Sequence, residues 1–467
     1  MAVDYSRLPD VVWVNIMKYL TLGDRYRLSL TCHRLHGYFS HPSLWNYAYI
    51  CMVGGNTNFH ICDTLMSEKC TKLIEIFGHL FQNVHIKIQG HFGQLDPESK
   101  VLLEGLAENC RLQVLTLEVG LMISSFHLHG NKPVNEDLAS ILKLVKKAHI
   151  LKELNITSWP MYPALLSDPD YNIFQVLCKN EKMKNLESLN MFWLKDCDWS
   201  ERHPILPSPE LTTTIIVGLR HLKHLSLRSP MLSEELFYEL ISPGRTRLQL
   251  LQIFVTYSVH DPQYRMPDLP SGLWAKFKEF HPNIAIECTV MSRINNFELG
   301  ILLKPEMPLQ SLTILRHSKC DGELLMALAE KFNKTLKSLN CFCDVSNNDR
   351  ELLNLAKKCP QLCELVFHGD INLGTIMELA NLRKNLWSKL IFLEKNIKTE
   401  NEDSDNEDDD CVIKRNNSGV YQLTSLQRFL HVDEERDNKL EQLKKYVSDK
   451  IGFNWAPHKT LNKENGL

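Results

Sequence analysis

The sequence predicts an α/β architecture: a small all-helical module, then a curved stack of parallel strands backed by outer helices. Three observations carry the prediction. A phrase of the form L-x-x-L-x-Φ, where Φ is apolar, returns eight times between Leu112 and Leu362. Segments with a helical leucine stripe fill the intervals between its copies. The first 45 residues lack the phrase and carry short apolar runs broken by turn residues instead.

The run LPDVVWVNIMKYL comes first. At 3.6 residues per turn, Leu8, Val12, Ile16 and Leu20 form one stripe, widened by Val11, Trp13 and Met17. Pro9 suits a first helical turn, where its missing N–H costs nothing. Gly23-Asp24 is expected to end this helix, with Asp24 as the N-cap of the next. RYRLSLTCHRLHGYF follows, and Ser40-His41-Pro42 breaks the chain before Leu44-Trp45. Three short helices in about forty residues have too little interior for this much apolar surface, so part of it is expected to face a partner.

The repeated phrase starts at Leu112, Leu151, Leu186, Leu222, Leu248, Leu309, Leu336 and Leu362. NIAIECTV at Asn283 is a weaker copy inside the longest step, and NVHIKIQG at Asn83 is a candidate first one. The late steps of 26 and 27 residues fall in the leucine-rich-repeat range, while early steps of 39, 35 and 36 imply insertions on one face. Each phrase reads as a short strand whose second leucine and Φ point inward, with the residues between them on the open face. EDLASILKLVKKA, SEELFYELI, DGELLMALAEKF and DRELLNLAKKC each open on an acidic or hydroxyl residue and continue as helices. One helix and one strand are too small to fold alone and must stack, which predicts an irregular leucine-rich-repeat solenoid, a horseshoe. A doubly wound sheet gives no reason for the phrase to recur.

Leu8 to Trp45 resembles an F-box. The features that carry the likeness are Leu8-Pro9, Ile16 and Leu20, then Asp24, Leu28 and Cys32, and finally Pro42, Leu44 and Trp45. Arg25 stands where an apolar residue is usual, Leu35 where a tryptophan is common, and Leu22 where a proline often follows the first helix. The stretch from His260-Asp261-Pro262 through SGLWAKF to LLKPEMPLQSLTILR resembles the F-box-only protein 39 and 33 group. The resemblance implies a non-catalytic substrate receptor of a Skp-cullin-F-box ubiquitin ligase. Its F-box would bind the Skp adaptor, through it the cullin–RING core, and its repeats would hold an unknown protein substrate. On that likeness Leu8, Pro9, Val12, Ile16, Leu20, Leu28, Leu44 and Trp45 face the adaptor or support the face that does. The alternative is an F-box scaffold that delivers nothing for ubiquitination.

The bulk numbers agree with this class. A 44% apolar content and a mean hydropathy of −0.22 belong to a globular chain. Eight acidic residues between Glu400 and Asp410 exceed the whole net charge of −3, so the remainder is mildly cationic. That surplus is too small for a nucleic-acid surface. MAVDYSRLPD has no export signal, and no run approaches the roughly 18 apolar residues of a membrane span. Fourteen scattered cysteines read as reduced, buried thiols, so a cytoplasmic or nuclear setting is expected.

No P-loop, G-x-G-x-x-G, H-E-x-x-H or G-x-S-x-G occurs, and neither catalytic residue nor cofactor is expected. Cys341, Cys343, Cys359 and Cys363 have spacing compatible with four-thiolate zinc. Cys341 and Cys343 share one strand face, however, with Cys359 at a helix end, and buried repeat thiols are the preferred reading. Trp159, Trp193 and Trp199 fall in the long early insertions and are candidate substrate contacts, although a tryptophan also fills a solenoid interior. Ser404, with Glu407 three residues on, suits an acidophilic kinase. Lys463-Glu464-Asn465 matches a degron. The expected organisation is an F-box at 5–50, a linker and first irregular repeats at 51–110, the array at 111–395, an acidic insertion at 396–418, and a helical cap and tail at 419–467. LEQLKKYVSDKI, with Leu440, Leu443, Val447 and Ile451 on one stripe, supplies that cap.

Overall fold

The computed structural model describes residues 8–53, 60–61, 63–64, 67–91, 97–122, 132–159, 172–191, 206–256, 265–291, 294–316, 318, 320–343, 348–398, 425–452 and 454–458. No helix among them is long and apolar enough to cross a membrane. The chain divides into two compact units, Met1–Leu251 and Gln252–Leu467, and the division falls inside the strand Leu250–Val255.

The first unit opens with three helices, α1 (Asp10–Lys18), α2 (Leu22–Ser29) and α3 (His33–Phe39), and a 3-10 turn at Pro42–Leu44. One expectation changes here. Asp24 is not the N-cap of α2 but sits inside its first turn. Thr21 is the cap: its hydroxyl accepts from the Asp24 N–H at 3.1 Å and donates to the Asp24 carboxylate at 2.8 Å. A hydroxyl one turn earlier therefore takes the orphan donor.

Strand β1 (Tyr47–Val53) follows directly, so the last residues of the range expected for the helical module, 47–50, belong to the sheet instead. It pairs in parallel with Asn83–His91, which pairs with Val114–Met122. The ladder continues in parallel through Glu153–Ser158, Ser188–Met191 and His224–Arg228. A helix precedes each strand after the first, and successive helices pack on one another in chain order. Register stacks like on like, with Leu154 opposite Leu189 and Ile156 opposite Met191. All four are 0–1% exposed. Burying each such side chain contributes about 1.5–3 kcal/mol, so stacking supplies the stability that one repeat lacks. The extra residues of the long early steps fall after strand ends, at 123–131, 160–171 and 192–205, and lie outside the described residues.

The second unit repeats the scheme. Ala285–Val290, Leu309–Ile314, Ser338–Cys341, Glu364–Phe367 and Lys389–Phe392 pair in parallel in that order. Helix Ser425–Ile451 packs on helix Leu373–Leu382 and buries Leu440, Leu443, Val447 and Ile451. The last strand would present an open edge, but the following chain covers it. The His458 N–H donates to the Phe392 carbonyl at 2.9 Å, and the Glu394 N–H donates to the His458 carbonyl at 3.0 Å. The Trp455 indole N–H donates to the Leu390 carbonyl at 2.7 Å.

A device that crosses from one repeat to the next recurs in both units. The last carbonyls of a helix have no intrahelical partner, and a side chain from the following repeat supplies one. Asn180 donates to the Val145 carbonyl at 3.0 Å, and Lys331 to that of Leu303 at 3.2 Å. Arg245 donates to the carbonyls of Leu219, at 2.8 Å, and Ile216, and pairs with Glu239 at 2.9 Å. Arg383 donates to the carbonyls of Ala356, at 2.6 Å, Cys359 and Pro360. Burial pulls both guanidiniums below their ordinary value.

Candidate functional site

The helical module divides its apolar side chains between an interior and a surface. Val14 and Met17 of α1, Leu22 of α2 and Leu35 of α3 are buried, so the interior is filled. Other apolar groups of the same helices face solvent. Tyr19 is 91% exposed, Val11 64%, Leu30 61%, Tyr26 54% and Ile16 37%. Apolar side chains left exposed in this way on one small module are candidates for a contact surface.

Polar contacts fix the frame beneath that surface. The Arg25 guanidinium donates to the carbonyls of Met17 (2.7 Å), Leu20 (3.0 Å), Lys18 (3.2 Å) and Leu44 (3.1 Å). It thereby caps the C-terminal end of α1 and ties that end to the 3-10 turn. This accounts for a cation where an apolar residue is usual. At the other end of α1, Asp10 accepts from Arg34 and from the Tyr38 hydroxyl, both at 2.5 Å. The Tyr38 hydroxyl, then Arg34, hold the Asp10 carboxyl below the ordinary carboxylate value.

The predicted adaptor-facing residues separate into two groups. Leu8, Val12, Leu20 and Leu28 are half-buried, and Pro9 and Ile16 are exposed. Leu44 and Trp45 are buried and support the frame instead. The Trp45 indole N–H donates to the Phe39 carbonyl at 2.6 Å. Its ring stacks on Phe77, with centroids 4.1 Å apart and 4° between the planes. Sequence reasoning missed Tyr19, Tyr26 and Leu30, which lie off the Leu8–Leu20 stripe. Their signal is apolar side chains near helix ends, which periodicity alone does not orient.

The repeats present a polar open face. Asn155 donates to Thr116 at 3.2 Å and to Glu153 at 2.8 Å, and Asn340 donates to Thr313 and Ser338, both at 3.2 Å. On the first strands, Glu118 lies 3.6 Å from His85 Nε2 and 2.6 Å from Lys87 Nζ. His85 first, then Lys87, hold its carboxyl below the ordinary value, against the opposing effect of burial. At 3.6 Å the His85 contact is long, and the close partner of the carboxylate is Lys87. Trp159 is buried at 4% exposure. Trp193, Trp199, Ser404 and Lys463 to Asn465 lie outside the described residues.

Cys341 and Cys343 are buried, and Cys341 Sγ lies 3.3 Å from Cys320 Sγ. Cys359 is buried separately beside Arg383, and burial pushes its thiol up to about 11. Among the described residues no three His, Cys, Asp or Glu side chains are placed to hold a metal ion. Thiols raised in this way are neutral packing groups rather than nucleophiles.

Comparison with known proteins agrees with both halves of the chain. A family model of F-box-like domains matches residues 5–51. F-box/LRR-repeat protein 21 of Mus musculus is 21% identical over 394 residues, covering 84% of this chain and 83% of that protein. Among solved structures, the leucine-rich repeat-containing protein LegL7 from Legionella pneumophila aligns with a TM-score of 0.37 at 14% identity, over 72% of this chain and 96% of that one. TLR13, solved in complex with ssRNA13, aligns with a TM-score of 0.33 at 17% identity, over 75% and 48% respectively. The chain thus combines an F-box-like domain at its N-terminus with a stack of L-x-x-L-x-Φ strands of the leucine-rich-repeat kind.

Proposed function

We propose that this protein is a substrate receptor of a Skp-cullin-F-box ubiquitin ligase. The helical module docks on the Skp adaptor, and the repeat array holds a protein to be ubiquitinated. One observation carries the reading: Val11, Ile16, Tyr19, Tyr26 and Leu30 remain exposed on a module whose interior is already filled. Desolvating such a set on a partner provides the apolar centre of a stable interface. The receptor needs no catalytic group of its own. It acts by raising the effective concentration of a substrate lysine near the ubiquitin thioester. The polar open face around Thr116, Asn155 and Glu118 is the proposed substrate side. Such a protein works in the cytoplasm or nucleus, and the stretch from His260 to Arg316 supports a place beside the F-box-only protein 39 and 33 group.

The test is co-purification of the full chain from cells, read for adaptor, cullin and ubiquitinated companions. Adaptor together with cullin, and companions that accumulate when the ligase is blocked, support the receptor. Adaptor without cullin supports a scaffold, and absence of the adaptor overturns the reading.

A further inference from the structure

Parallel pairing sets the helix-to-strand turns of the first unit along one edge of its sheet. Backbone hydrogen bonds tie them in single file. The Gln113 N–H donates to the Gln82 carbonyl, Lys152 to Gln113, Glu187 to Lys152, Lys223 to Glu187 and Gln249 to Lys223, all at 2.7–2.8 Å. The acids on these turns are already engaged. Lys223 lies 2.6 Å from Glu187 and Lys184 3.7 Å from Glu181, while Glu153 accepts from Asn155 at 2.8 Å. Arg111, Lys146, Lys152, Lys182, Arg220 and Arg247 are exposed on the same turns, and none of them forms an ion pair among the described residues. Cations in a last helical turn complement the helix dipole, but the effect fades within that turn. Arg111, Lys152, Arg220 and Arg247 lie past the helices Pro97–Asn109, Lys132–Lys147, Pro209–Gly218 and Glu234–Leu240, so the dipole does not account for them.

We propose that this cationic edge binds an extended acidic segment of the protein to be ubiquitinated, its Asp and Glu side chains meeting the cations of successive repeats. Charge complementarity and spacing select the occupant. Neighbouring strands stand about 4.8 Å apart, so the turns from Arg111 to Arg247 span about 19 Å, the length of about six extended residues. Glu153 starts its strand at this edge and bonds to Asn155 on the open face, so a segment on the edge lies beside the proposed substrate side. A nucleic-acid strand fits less well. Residues 109–113, 146–153, 179–187, 219–224 and 241–249 contain no Phe, Tyr or Trp on which bases could stack.

That the occupant belongs to a ubiquitination substrate rests on the receptor reading, and the experiment separates the two. The probe is a fluorescein-labelled oligoglutamate of about ten residues, long enough to cross the edge, titrated with the full chain and read by anisotropy. Lys152→Glu/Arg220→Glu is expected to weaken binding about tenfold at low salt and about twofold at high salt, because the attraction is screened. Lys395→Glu/Lys445→Glu makes the same charge change at exposed positions of the second unit and should leave the affinity near that of the wild type. Thermal unfolding and adaptor binding are measured on the same preparations. Equal peptide affinity in wild type and Lys152→Glu/Arg220→Glu, or an equal loss in both double variants, overturns the edge while adaptor docking stands. Displacement of the peptide by a single-stranded oligonucleotide of equal charge, bound more tightly, overturns the peptide as occupant. Peptide binding that depends on Lys152 and Arg220 in a chain that fails to bind the adaptor keeps the edge and removes the receptor.

Discussion

The Trp45 indole lies parallel to the Phe77 ring at 4.1 Å, with its N–H on the Phe39 carbonyl. Phe39 ends the helical module and Phe77 ends the first helix of the repeat stack, so Trp45 joins the two. The module is thereby fastened to the first repeat.

Trp45→Ala removes the stack, the edge contact with Phe39 and the indole hydrogen bond together. Truncating a buried tryptophan typically costs about 3–5 kcal/mol. Urea unfolding is expected to show a loss of that size, with Trp45→Phe intermediate. A change near zero would mean that the module and the first repeat are energetically independent.

The Glu118 carboxyl is lowered on folding by His85 and Lys87, so the folded chain binds its proton less tightly than the unfolded chain. Its contribution to stability is full above the unfolded value of about 4.3 and disappears as pH falls through the lower folded value. Stability measured against pH should therefore show the difference between wild type and Glu118→Gln shrinking as pH falls from about 5 to about 3. A difference that grows on acidification contradicts the assignment.

Much of this organisation is legible in the sequence, and the limits have physical causes. Leu115, Leu154, Leu189 and Leu365 announce their strands because period-two burial is a local property of the chain. The stripe Leu440, Leu443, Val447 and Ile451 is equally local. Strands β1 and Lys389–Phe392 escape notice because the ends of the stack lack the leucine phrase. The capping role of Arg25 is unreadable, since its acceptors come from α1 and from Leu44, nineteen residues on. For the same reason periodicity identifies apolar α1 residues but does not say that Met17 turns inward while Tyr19 turns out.

Arg383 reaches back to Ala356 and to the next carbonyls of the preceding helix from a buried position. Arg383→Met keeps the bulk of the stem and deletes the donors, leaving several buried acceptors unpaired at about 1–3 kcal/mol each. Thermal unfolding should fall by several degrees, and amide exchange in helix Asp349–Lys358 should accelerate more than in helix Gly322–Lys331. Uniform acceleration would show that the arginine does not act on that one helix end.

Val447 is fully buried where the C-terminal helix meets Leu373–Leu382. Val447→Asp places an unpaired carboxylate there and should release the helix. Limited proteolysis is expected to cut between 425 and 452 in the variant and to spare that segment in the wild type. Equal resistance of the two would contradict its role as a cover.

Adaptor docking through the exposed side of the helical module is the central claim. Its most direct test is the affinity of the Skp adaptor for Ile16→Ala/Tyr19→Ala, measured alongside urea unfolding. Both side chains are exposed in the free chain, so unfolding should move by no more than about 0.5 kcal/mol. Truncating anchors at the centre of an interface costs about 1–4 kcal/mol, so the adaptor affinity is expected to fall at least tenfold. An affinity equal to that of the wild type, in a variant that folds normally, would contradict the account.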